Sequence, residues 1–98
     1  MKKIVIPTVT ELASGEHFIA KQMQAKAGEA MSEHHASLES ILFIFEGECT
    51  LKLDSKQIHL KPGEAVSIPA LVRHQIIAVT DYKGIHFMPK GIEFKFFK

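Results

Sequence analysis

The chain is short of cysteine, of net charge and of long apolar runs, and each shortage narrows what it can be. A single cysteine, Cys49, cannot close an internal disulfide, which agrees with a reducing compartment. It alternates with Leu51 and Leu53 in CTLKLD, so it reads as a small buried side chain and not as a reactive thiol. The net charge is +1, from 12 basic residues spread among 11 acidic ones, and this leaves no basic face for nucleic-acid phosphates. The N-terminal MKKIVIP starts like an export signal, but its apolar stretch stops at Pro7 after three residues. That is too short for a signal h-region or a membrane span. The expected setting is therefore cytoplasmic, with neither membrane nor nucleic acid as a partner. No glycine-rich phosphate loop, nucleophile elbow, paired-cysteine zinc motif or dinucleotide fingerprint is present.

What the chain does have is the composition of a packed globular protein. Hydrophobic residues make up 46% and charged residues 23% of its 98 positions, enough for one core and too few for two. One domain over residues 1–98 is expected. From residue 41 the apolar segments ILFIFE, CTLKLD, QIHLK, EAVSIP, HQIIAV, GIHFMP and IEFKFF are of strand length, and Gly, Pro or Asp turns separate them. This spacing predicts an all-β sandwich or small barrel. Residues 11–31 are the conflicting segment, because their Ala, Gln, Lys and Met content favours helix.

Two stretches then carry a family resemblance. Gly28, His34, Ala36, Ser40 and Gly47 keep the spacing of the first cupin motif, which runs Gly, His, His, Glu, Gly. PGEAVSIPALVRH, through Gly63, Pro69 and His74, keeps that of the second. The sequence resembles small single-domain bacterial cupins with a reduced ligand set. The resemblance implies a cupin double-stranded β-helix, a jelly-roll-like barrel of six to eight strands, with a site in its mouth. It also makes residues 17–26 a strand and the protein a homodimer. The apolar ends IVIP and IEFKFF, if left as unpaired edges, point to pairing as well.

In cupins with the full motif, two histidines and a glutamate of the first motif and one histidine of the second hold a divalent metal. Here His34 and His74 fall on ligand positions, while Ala36 and Ser40 take the other two. Two imidazoles fall short of the three or four protein ligands of ordinary zinc sites. An implied zinc, nickel, iron or manganese ion therefore needs recruits from His35, Glu39 and His86. Strand alternation turns His35 away from His34. A register through Glu33, His35 and Ser40 is also conceivable but loses the Gly28 spacing. The expected ligand pocket comprises His34, His74, His86, Gln22 and Gln24. Three functions stay open on the sequence: a small-ligand-binding barrel, a metal-dependent dioxygenase or isomerase, and a barrel filled by its own side chains.

Overall fold

Alternation of burial sets the strands. In Cys49–Leu53 the three apolar side chains are buried while Thr50 and Lys52 lie half-exposed between them, the period-two pattern of a sheet with one covered face. The segment then turns at Asp54, whose φ of 54° is left-handed, a conformation that aspartate tolerates better than most residues. The returning strand, Lys56–Leu60, pairs residue for residue with the first.

The computed structural model describes residues 3–97. In chain order the strands are β1 Lys3–Ile4, β2 Thr8–Ser14, β3 Phe18–Ala25, β4 Glu29–Ala30, β5 His34–Ala36, β6 Ser40–Glu46, β7 Cys49–Leu53, β8 Lys56–Leu60, β9 Glu64–Ile68, β10 His74–Ala78, β11 Tyr82–Pro89 and β12 Phe94–Phe96. They form two sheets. The larger runs β1-β4-β10-β5-β12, with β7 also on β10 and β8 on β7, and the smaller runs β2-β3-β11-β6-β9. This is the all-β barrel that the turn spacing predicted, in the two-sheet jelly-roll form that the cupin resemblance implied. It has more strands than the expected six to eight because β1, β4, β5 and β12 are pieces of only two or three residues.

Residues 11–31 contain no helix. Residues 18–25 are held along their whole length between β2 and β11, so sheet pairing and the burial of Met23 override the intrinsic preference of the segment.

The filled part of the interior lies between β6, β7, β9 and β10. Leu42, Ile44, Leu51, Ile68 and Cys49 are almost fully enclosed there, and each large side chain stabilises the fold by roughly 1.5–3 kcal/mol relative to exposure. Gly47 closes this end. Its φ is 73° and the space where a Cβ would stand is taken by the Asp81 carbonyl and the Tyr82 backbone, so any other residue there must push two strands apart. Gly84 on β11 likewise lets the Ile44 side chain and the Phe43 carbonyl of β6 come close.

Candidate functional site

The unfilled part of the interior lies where β5 and β10 run side by side. His34 and His74 stand directly opposite each other on these antiparallel strands, and their rings meet edge to face with centroids 4.2 Å apart. Each Nδ1 lies against a backbone carbonyl two residues back, that of Ser32 at 2.8 Å for His34 and that of Val72 at 3.0 Å for His74. A carbonyl can only accept, so each Nδ1 carries the proton, and in the neutral ring Nε2 is an acceptor. Burial keeps both rings neutral. It lowers the pKa of His34 against a weaker pull from the Ser32 carbonyl, and it brings His74 down to about 4, with the neighbouring His34 and His35 adding to the effect.

A third imidazole arrives from the other sheet. His86 on β11 is 7% exposed, and its Nε2 lies 2.7 Å from the Ser40 hydroxyl at the start of β6. Burial first, then His74, His34 and Lys21, lowers its pKa to about 4. Ser40, which stands in the position of the motif glutamate, thus holds His86 by a hydrogen bond instead of offering a metal a carboxylate.

His34 and His86 line a cavity of about 140 Å³. Its walls are apolar, with Met23 and Met88 from the smaller sheet and Met31 and Ile76 from the larger. Phe94 and Phe96 of β12 pack on His34 with ring centroids 6.0 and 4.9 Å away. Pro7 and Val9 border the cavity from the N-terminal side, and Lys21 completes its lining. A second, apolar hollow adjoins it, sharing Pro7, Val9, Met31 and Phe96.

Of the residues singled out on the sequence, the fold gathers His34, His74 and His86. The others lie elsewhere, for reasons of strand parity. His35 turns to the outer face, where its ring packs on Phe97 at 5.3 Å and its Nδ1 is buried with no hydrogen-bond partner. Arg73 sits 4.2 Å over the same Phe97 ring and pairs with Glu33 at 3.2 Å, so Glu33 is also outside. Glu39 is exposed and accepts a hydrogen bond from Ser67 at 2.9 Å. Gln22 and Gln24 alternate with the cavity residues Lys21 and Met23, so they take the opposite face of β3. Gln24 borders a separate charged cleft near Asp81 and Lys83. Lys21, Phe94 and Phe96 were not expected as site residues, and Ser40 was singled out only as the residue in the position of the motif glutamate. The alternation of IEFKFF placed the two phenylalanines on one face, but only the pairing of β12 with β5 sets them over His34.

A resident divalent ion does not fit this donor set. Among the described residues no group of three or more His, Cys, Asp or Glu is arranged to hold a metal. Ala36 offers no donor, the Ser40 oxygen is engaged by His86, and the nearby carboxylates face outward. Of the three imidazoles, His86 has its Nε2 taken up by Ser40, and the neutral rings of His34 and His74 alone are a weak claim on zinc or iron.

Comparison with known proteins supports the architecture. A cupin superfamily protein from Desulfitobacterium hafniense DCB-2 superposes with a TM-score of 0.78 at 20% identity, over 91% of this chain and 82% of that one. A conserved protein of unknown function from Streptococcus pyogenes gives 0.77 at 16%, over 90% and 79%. A mutant salicylate 1,2-dioxygenase from Pseudoaminobacter salicylatoxidans, in complex with gentisate, gives 0.83 at 12%, over 92% of this chain but only 29% of that protein. These likenesses concern the fold. Among curated proteins nothing matches, and no helix among the described residues is long and apolar enough to cross a membrane. The cupin domain family profile matches residues 21–88, and the chain belongs to that family.

Proposed function

We propose that this cupin binds a small, largely apolar molecule carrying a hydroxyl, without a resident metal. The observation that carries the reading is the apolar cavity of about 140 Å³ with the neutral, Nδ1-protonated His34 in its wall and His74 against it. Engineered apolar cavities of about 150 Å³ take benzene, so a single aromatic ring is the right scale. The imidazole Nε2 is an acceptor only, so a hydroxyl donor satisfies it and a carbonyl does not. An unsatisfied polar atom in such a wall costs about 1–3 kcal/mol, which gives the hydroxyl its advantage over a bare ring. A salicylate 1,2-dioxygenase mutant with the same fold over part of its length forms a complex with gentisate, and this supports the choice of probe.

The test is isothermal titration of the protein with phenol and with toluene, together with metal analysis of the purified protein. Phenol is expected to bind about tenfold more tightly than toluene, and His34→Phe to abolish that preference. Equal binding of the two, or none, overturns the reading. The metal-dependent enzyme remains the rival, and about one equivalent of divalent metal, lost in His34→Ala or His74→Ala, would support it or a metal-assisted binder instead.

A further inference from the structure

Lys21 is the cavity residue that hydroxyl recognition leaves unused. It lies in the middle of β3, half-buried, opposite His86 on one side and Glu11 on the other. Among the described residues no carboxylate is within ion-pair distance of it; the ion pairs join Arg73 to Glu33, Lys83 to Glu46 and two surface histidines to glutamates. Glu11 is fully on the surface. A half-buried lysine packs its four-carbon stem on apolar surface and keeps its ammonium hydrated. An unpaired cation bordering an apolar cavity is a strong anchor, because charge-assisted hydrogen bonds are about twice as strong as neutral ones.

The two walls of the cavity therefore differ. On the larger sheet the neutral His34 presents a lone pair that accepts from a hydroxyl, while on the smaller sheet Lys21, the cross-strand partner of His86, brings a single positive charge that favours an anion. We infer that the ligand is a compact hydroxy-monocarboxylate, bound with its hydroxyl toward His34 and its carboxylate on Lys21. This rests on the hydroxyl reading above and adds the ligand's charge and its orientation. One ammonium suits one carboxylate; a phosphate or a dicarboxylate would leave charge unmet, because among the described residues no other lysine or arginine lines the cavity.

The experiment compares three probes of one shape at low salt: 3-hydroxybenzoate, 3-hydroxybenzamide and 3-hydroxybenzylamine. The benzoate is expected to bind about tenfold more tightly than the amide, with the amine weakest. Lys21→Arg should keep this order, and Lys21→Glu should reverse it in favour of the amine, a change that a packing role for the lysine stem would not produce. If phenol binds but the three probes bind alike, or if Lys21→Glu leaves the order intact, the inference falls and the hydroxyl reading stands. If phenol itself fails to bind, the reading beneath it falls first.

Discussion

One barrel interior contains two unlike regions. Between β6, β7, β9 and β10 it is filled by Leu42, Ile44, Cys49, Leu51 and Ile68, whereas between β3, β5, β11 and β12 it stays hollow around His34 and His86. The backbone is the same kind of pleated sheet in both places. What differs is side-chain chemistry: aliphatic groups interlock from facing sheets at crystal-like density, while imidazoles tied to carbonyls and to Ser40 keep fixed positions and do not close the space. The difference separates a packed core from the proposed binding site within fewer than a hundred residues.

Substitutions should divide along that line. The largest effect is expected from Leu42→Ala in the filled region, a loss of about 2–5 kcal/mol in chemical denaturation, against less than about 1.5 kcal/mol for Met31→Leu in the wall of the hollow. Equal costs would erase the distinction. Next comes pH. His74 and His86 titrate near 6.5 when unfolded and near 4 when folded, so the unfolded chain binds more protons between those values. Stability is full above pH 6.5, falls as the pH drops toward 4 and is level below it, by on the order of 3 kcal/mol for each group. Thermal unfolding across that window should show the decline, and His86→Leu should flatten part of it; an unchanged slope would refute the assignment. The smallest effect is Ser40→Ala, about 1 kcal/mol. It should also move the His86 ring signals in NMR and leave those of His35 on the outer face in place.

Much of the fold was legible because the later strands alternate cleanly between turn residues, as CTLKL does before Asp54. The motif spacing singled out His34 and His74 for a related reason: both motifs are local, and the pairing of β5 with β10 only brings their ends together. The parity of β3 was not legible. FIAKQMQA has apolar residues in both phases, Ile19, Met23 and Ala25 in one and Phe18 and Ala20 in the other, so Gln22 and Gln24 seemed as able to face inward as Lys21. The Ser40–His86 contact spans 46 positions and depends on the register of β6 with β11. No short-range pattern encodes that.

The ring orientations of His34 and His74 are set within two tripeptides, Ser32–His34 and Val72–His74, each bonding its own carbonyl two residues back. The paired-imidazole arrangement is consequently local in origin. An unrelated antiparallel pair of strands carrying those two tripeptides in the same register would hold two rings by the same carbonyl bonds, and they would be acceptors wherever burial kept them neutral.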